Sequence, residues 1–375
     1  MKTLLLAAGD VRRIVRAVGV DSLMDELIAR LETAIRSLDN RTEVPQRRGF
    51  HYDDPTNGMV EWMPAMVRGE QVVMKLVGYH PGNPRSHQLP TVVSTIYSCD
   101  PATGHLDAIV DGTLLTAMRT GAASAVASRC MASPNSRRLG LIGCGAQAVT
   151  QLHALGRLFL FEEIWINDTD PAALQSFPQR AAGLFRHNAE ICEATAQDIM
   201  ACADVVSVAT SVDVGRGPVF DPVETRPHLH VNAVGSDFPG KTELPKSLLE
   251  SSFVCADMIE QARIEGECQQ LDSHMVHAEI RNVLRGEHDH LALQARRTVF
   301  DSTGFALEDL VACNVVLEQA RTLGLGSEVE IECLSDDPKD PYALLGDATV
   351  LRLAESRIAD RDVPQQTRLR SGSAP

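Results

Sequence analysis

The hydrophobic period of the chain changes twice. Between Val11 and Ser37, Ile14, Val15, Val18, Leu23, Leu27, Leu31 and Ile35 recur at three- and four-residue intervals, which predicts one or two amphipathic helices. From Glu61 the pattern shortens. "VEWMPAMV", "EQVVMKLVGYHP", "LPTVVSTIYSCD" and "HLDAIVDG" are β-rich runs divided by Gly, Pro and Asp, and predict neighbouring, largely antiparallel strands. "TLLTAMRTGAASAVASRCMA", from Thr113 to Ala132, is a run of small residues and helix formers that predicts a helix linking two domains.

From Arg138 short apolar runs alternate with helical segments. "RLGLIGCG" is followed by "AQAVTQLHALGRL", then "EIWINDTD", "ICEAT", "DVVSVATS", "HLHVNAVGSD" and "SSFVCAD" supply further strands between helices. Such alternation implies right-handed crossovers and a parallel, doubly wound sheet. After Phe300, "ALEDLVACNVVLEQARTLG" predicts one more long helix, and a frayed tail is expected from about residue 359.

The fold expected is therefore α/β: a Rossmann-type doubly wound parallel sheet plus an α+β domain. Residues 1–118 form the second of these, with 302–358 returning to it. Residues 119–301 form the nucleotide-binding domain, and 359–375 a disordered tail. A length of 375 residues suits two domains of ordinary size.

Composition narrows the function classes. Apolar residues make up 44% of the chain but aromatics only 4%, so aliphatic side chains must build the core. A formal net charge of −15 argues against nucleic acid or an anionic membrane as partner. The nine cysteines have no C-x-x-C spacing, which fits reduced thiols in the cytoplasm. "MKTLLLAAGDV" is too short for a signal-peptide core. "GEHDH" has polar, loop-like flanks, so no metal site is expected.

The glycine turn carries the first chemistry. Gly143 and Gly145 follow an apolar strand and open a helix, with Ala148 in the third small position. Gly143 permits the tight turn, and Gly145 lets a pyrophosphate approach the helix N-terminus. About 25 residues beyond Gly143, Asp168 ends the next strand, where an acid accepts hydrogen bonds from both adenosine ribose hydroxyls and repels a 2′-phosphate. This predicts NAD rather than NADP. Asp237 falls at the carboxyl end of a later strand, where it either meets nicotinamide and substrate or caps the next helix. Arg47, Lys75 and Arg119 cluster with the β-rich segments and suggest a pocket for a carboxylate, or surface ion pairs. Lys75 interrupts an apolar strand and needs a partner. Glu61 is the matching acid for a substrate amine.

Several motifs occur in order: "PQR", "VEWMP", "MKLVGYHPGNP", "LPTV", "TAMRTGAASAVASR", "LGLIGCGAQAVTQLHAL", "NAVGSDFPGKTELP", "EGECQQL" and "VFDSTGFALED". Together they resemble the ornithine cyclodeaminase/μ-crystallin family over about residues 5 to 350. "VGYHPGNP", "GAASAVASR", "HLHVNAVGSD", "DPYAL" and Thr303 look closest to its lysine cyclodeaminase branch, while "FPGKTEL" is shared with the ornithine side.

The resemblance implies an NAD-dependent ammonia-lyase, making L-pipecolate from L-lysine or L-proline from L-ornithine, and a homodimer formed through the N-terminal α+β domain, which also binds substrate. A ketimine reductase or amino acid dehydrogenase of the same fold is the alternative. It implies that Arg47, Lys75 and Arg119 hold the substrate carboxylate and that Glu61 and Asp237 handle the amine and its protons. It further implies that Thr303 touches the methylene chain. Thr91, Arg119, Thr120, Ala146, Gln147, Asp168, Thr210, Val234, Gly235, Ser236, Asp237, Lys241 and Ser302 would line the NAD site with Gly143 and Gly145.

Overall fold

A computed structural model describes residues 1–185 and 189–345. The expected tail at 359–375, and the last part of the returning segment 302–358, lie outside the described residues. Thr3–Glu328 is one compact unit. The stretch from Val329 groups with Met1 and Lys2 as a small separate unit, carrying one 3₁₀ turn at Ala343–Leu345.

In chain order the elements are β1 (Thr3–Leu6), α1 (Ala8–Val18), α2 (Val20–Arg36), β2 (Thr42–Glu43), β3 (Arg48–Tyr52), β4 (Gly58–Val67), β5 (Gln71–Tyr79), α3 (Asn83–Ser86), β6 (Val92–Cys99), β7 (Leu106–Asp111) and α4 (Thr113–Met131). There follow β8 (Arg138–Ile142), α5 (Ala146–Gly156), β9 (Glu163–Asn167), α6 (Pro171–Ala181), β10 (Glu190–Glu193), α7 (Ala196–Cys202), β11 (Val205–Val208), β12 (His230–Ala233) and α8 (Lys246–Glu250). The last are β13 (Phe253–Ala256), α9 (Ile259–Glu265), β14 (Ala278–Glu279), α10 (Ile280–Leu284), α11 (His290–Gln294), β15 (Thr298–Asp301) and α12 (Ala306–Leu323).

The helical pattern before residue 37 resolves into two helices because Gly19 turns the chain at φ 87°. Leu23, Leu27, Leu31 and Ile35 then bury one face of α2. The first sheet runs β1-β7-β6-β5-β4-β2, with β3 also on β4. Its ladders from β2 to β7 are antiparallel, as the short alternating runs predict. The β1 strand was not expected, since "TLLL" is four residues long, and it adds parallel to β7.

Period two decides which side chains meet the core. Met63, Val73, Lys75, Val77 and Ile96 face inward, while Met74, Leu76 and Val93 face out and are exposed. α2, α4 and α12 pack together, and α12 also packs on β4 and β5. The C-terminal helix thus covers the inner face of the first sheet, and a shared apolar core forms there.

The second sheet is parallel throughout, in the order β10-β9-β8-β11-β12-β15-β13-β14. The order reverses between β8 and β11, and their carboxyl ends open a crevice there. β15 was not read as a strand. It wedges between β12 and β13 and brings Asp301, Ser302 and Thr303 to the same end of the sheet.

Candidate active site

The two sheets face a cleft of about 1140 Å³. It is lined by Arg47, Glu61, Lys75, Thr91, Arg119, Thr120, Gly143, Gly145, Ala146, Gln147, Asp168, Thr210, Val234, Gly235, Asp237, Lys241, Ser302 and Thr303. Every residue expected at the site is among these except Ser236. Its buried hydroxyl donates to the Lys241 carbonyl at 2.6 Å and fastens the loop from inside. A hydroxyl used in this way stabilises the loop and is absent from the cleft wall.

One end of the cleft is built for a phosphate group. Gly143 has φ 91°, and a Cβ there would lie 2.4 Å from the Ala209 carbonyl oxygen. Gly145 starts α5 without any side-chain cap, and nothing stands within 4 Å of where its Cβ would be. The first N–H groups of this 11-residue helix therefore face open space with the positive end of the helix dipole. Asp168 accepts the Cys144 N–H at 2.6 Å and the Asp170 N–H at 2.8 Å, tying the end of β9 to the glycine turn. The Ser302 hydroxyl, which follows β15 at the same end of the second sheet, is buried without a hydrogen-bond partner among the described residues. An open cradle and an orphaned hydroxyl on one cleft fit a dinucleotide.

The other end is a buried array of charge. Lys75 reaches Asp309 of α12 at 2.8 Å. Arg119 of α4 pairs with Glu308 and lies 3.3 Å from Asp309. Arg47 donates through Nε to Glu265 at 2.6 Å and through Nη2 to the Asp237 carbonyl at 3.0 Å. Burial, with the neighbouring Arg119 charge, pushes Lys75 down to about 8 against the pull of Asp309. Burial likewise lifts Glu265 and Glu308 to about 7, against Arg47 and Arg119 respectively. Burial opposes the charge on Arg47, but Glu265 and Glu61 outweigh it and raise its pKa.

The two expected acids are held differently. Glu61 is buried; Oε1 meets His51 Nε2 at 3.1 Å, while Oε2 has no hydrogen bond and lies 3.6 Å from Arg47. Asp237 is partly exposed and meets Lys241 Nζ at 3.0 Å. It caps no helix, because α8 begins nine residues later behind Pro245 and has no side-chain cap. Thr303 has its hydroxyl between Asp257 at 3.0 Å and Gln261 at 2.8 Å. Burial raises Asp257 to about 6 despite the hydrogen bonds from Gly304, Met258 and Thr303.

Several contributors carried no assigned role in the sequence. Glu265, Glu308 and Asp309 are the counter-ions of the three buried cations. The requirement that Lys75 have a partner was legible, but its identity, 234 residues away, was not. Glu243 accepts from the Thr210 N–H and hydroxyl, both at 2.6 Å, and from the Gly235 N–H at 2.8 Å. It thereby braces two loops that line the cleft. No group of three or more His, Cys, Asp and Glu among the described residues could hold a metal ion. No helix among them is long and apolar enough to cross a membrane.

Known proteins are similar to this chain over most of its length. The L-lysine cyclodeaminase of Streptomyces rapamycinicus is 42% identical over 346 residues, covering 92% of this chain and all of the relative. The ornithine cyclodeaminase of Agrobacterium tumefaciens is 31% identical, covering 89% of this chain and 91% of its own. Among solved structures, a lysine cyclodeaminase described for recognition of L-lysine, L-ornithine and L-2,4-diaminobutyric acid superposes with a TM-score of 0.89. It is 47% identical and covers 92% of this chain and all of its own. An archaeal alanine dehydrogenase dimer with bound NAD superposes with a TM-score of 0.76 at 31% identity, covering 88% of this chain and all of its own. The ornithine cyclodeaminase/mu-crystallin family pattern matches residues 10–323, spanning both sheets and the cleft between them, and the chain is a member of that family.

Proposed function

We propose that the protein is an NAD-dependent cyclodeaminase that converts L-lysine to L-pipecolate and ammonia. One observation carries this reading: an open dinucleotide cradle, three buried cations and the acids Glu61 and Asp237 face a single cleft. The full-length similarity to a lysine cyclodeaminase supports it.

Arg47, Lys75 and Arg119 hold the substrate α-carboxylate, for which two parallel hydrogen bonds from a guanidinium are suited. Their counter-ions Glu265, Asp309 and Glu308 keep the pocket near neutrality until the carboxylate enters. Glu61 and Asp237 face the amines. Asp237 accepts the proton of the terminal ammonium, so that the free amine can attack the α-carbon. Lys241, 3.0 Å away, holds the Asp237 carboxylate in place. Thr303 presents its methyl to the substrate chain, because its hydroxyl is taken by Asp257 and Gln261.

NAD, when bound, accepts hydride from the α-carbon and returns it to the cyclic imine, so it is regenerated in each turnover. The α5 N-terminus and Gly145 hold its pyrophosphate and Asp168 its adenosine ribose. Thr91, Thr120, Ala146, Gln147, Thr210, Val234, Gly235, Lys241 and Ser302 complete that half of the cleft, and Ser236 supports its loop.

L-Ornithine is a second substrate in this reading. The solved relative recognises both diamino acids, and one methylene is worth only ~1–3 kcal/mol of discrimination. The same reading assigns residues 1–118 and the returning segment to substrate binding and 119–301 to the nucleotide. It also takes the enzyme as a cytoplasmic homodimer. Trp62, Met74, Leu76, Val93 and Tyr97 share the open face of the first sheet, and Phe50 stacks edge-on against Trp62, which supports self-association through that face.

The test is mass balance. Purified protein is given L-lysine or L-ornithine, a trace of NAD and no other redox partner. Pipecolate or proline in excess over NAD, with equimolar ammonia, is the expected outcome. No product under those conditions, but turnover of NADH with a cyclic imine, identifies a reductase instead.

A further inference from the structure

Proton bookkeeping in the proposed reaction leaves one proton without a carrier. Two ammonium groups must be neutralised before the ring closes. The α-ammonium releases a proton so that hydride, accepted by the nicotinamide, can leave the α-carbon and yield a charged imine. The terminal ammonium releases another so that its lone pair can form the new carbon–nitrogen bond. A proton then shifts from the ring nitrogen to the α-nitrogen, which departs as neutral ammonia. After hydride returns to the ring imine, one proton goes to the ring nitrogen and one to ammonia. Two protons therefore leave and two come back, and the sum over the cycle is zero. A single carboxylate, Asp237, holds only one of them.

The second carrier has a visible route. Glu61 is buried and lines the cleft, and its Oε2 has no hydrogen bond. Its Oε1 is 3.1 Å from Nε2 of His51, which was not anticipated at the site. His51 comes from β3, the strand that shields the edge of β4, and its side chain is 37% exposed. The ring leans on Phe238 at 4.4 Å, which fixes its orientation, and no other hydrogen bond to it occurs among the described residues. The other charged groups around Glu61 are each engaged. Arg47, 3.6 Å from Glu61, is bound to Glu265 of α9, and Asp237 is bound to Lys241. Arginine does not give up its proton, so the path outward from Glu61 runs through His51.

We propose that Glu61 and His51 form a two-residue proton relay between the cleft and solvent. It discharges the second proton before ring closure and returns it afterwards. Imidazole suits this task because it exchanges protons near neutral pH and offers two nitrogens, one to Glu61 and one to water. His51 acts through Glu61 and does not touch the substrate. The inference rests on the cyclodeaminase reading.

The experiment compares the full-length wild type with His51→Gln and His51→Ala on L-lysine with trace NAD. Absence of wild-type turnover overturns both the reading and the relay. With wild-type turnover present, His51→Gln should lower kcat by roughly 10- to 100-fold, leave KM for lysine and NADH binding within about threefold, and increase the solvent isotope effect. Added imidazole should restore His51→Ala in proportion to its concentration and should not restore Glu61→Gln. A kcat within twofold of wild type in both His51 variants overturns the relay alone. So does a loss that imidazole leaves unchanged and that comes with weakened NADH binding, which marks His51 as a structural prop.

Discussion

Two glycines two residues apart, Gly143 and Gly145, give the sharpest test of the cofactor cradle. At Gly143 an added Cβ would sit 2.4 Å from the Ala209 oxygen and 2.8 Å from its carbonyl carbon, where ordinary contact begins at 3.4 Å. That oxygen belongs to the backbone just beyond β11, in the middle of a parallel sheet, so relief requires a shift of roughly 1 Å at a cost of about 1–3 kcal/mol. A φ of 91° adds about 1–2 kcal/mol for any side chain. Gly143→Ala should therefore lose about 2–5 kcal/mol of stability, a large part of the ~5–15 kcal/mol available to a domain. Gly145 has φ −77° and open space in place of its Cβ. Gly145→Ala should change stability by no more than about 0.5 kcal/mol. The same methyl would occupy the volume assigned to the pyrophosphate, weakening NADH binding by tenfold or more, about 1.4 kcal/mol. Urea unfolding followed by circular dichroism measures the first quantity and NADH fluorescence titration the second. Wild-type NADH affinity in Gly145→Ala would refute the placement of the phosphate, and wild-type stability in Gly143→Ala would refute the packing argument.

Three further outcomes are expected. Asp237→Asn should lower kcat by about 10²–10⁴-fold while NADH binding stays within about threefold; full turnover in this variant would remove the assigned base. Asp301 is pushed up to about 7 by burial, so between pH 4 and 7 the folded state holds a proton that the unfolded chain has released. Its contribution to stability is complete below the ordinary aspartate value and is lost as pH rises through about 7. The stability of wild type relative to Asp301→Asn should accordingly fall by up to about 1.4 kcal/mol per pH unit across that window, and a flat difference in pH-resolved denaturant titrations would contradict it. Met74→Glu with Leu76→Glu, placing charge on the open face of the first sheet, should convert a dimer to a monomer in analytical ultracentrifugation. A monomeric wild type would dismiss that interface.

The sequence by itself determined what depends on near neighbours. A strand, two glycines and a helix within "LGLIGCGAQAV" specify a turn whose geometry follows from local backbone sterics. Asp168 falls at the end of the following strand for the same reason. Lys75, interrupting an apolar strand, called for a partner, and the small residues and helix formers between Thr113 and Ala132 predicted a helix. What failed was short or shielded. β1 is too brief for its period to be read, β15 hid behind a resemblance, and exposed β3, with His51 on it, shows little apolar alternation.

Only the tertiary structure decided how the charges are partnered. Lys75 meets Asp309, Arg119 meets Glu308 and Arg47 meets Glu265 across 234, 189 and 218 residues of chain. The insertion of β15 between β12 and β13 likewise sets Ser302 and Thr303 on the cleft. The physical reason is the range of the forces. Backbone sterics and side-chain period act within a few residues and are written in order along the chain. The cost of burying a charge states only that a partner must exist, and many acids could meet it. Packing α12 against the first sheet selects which one does.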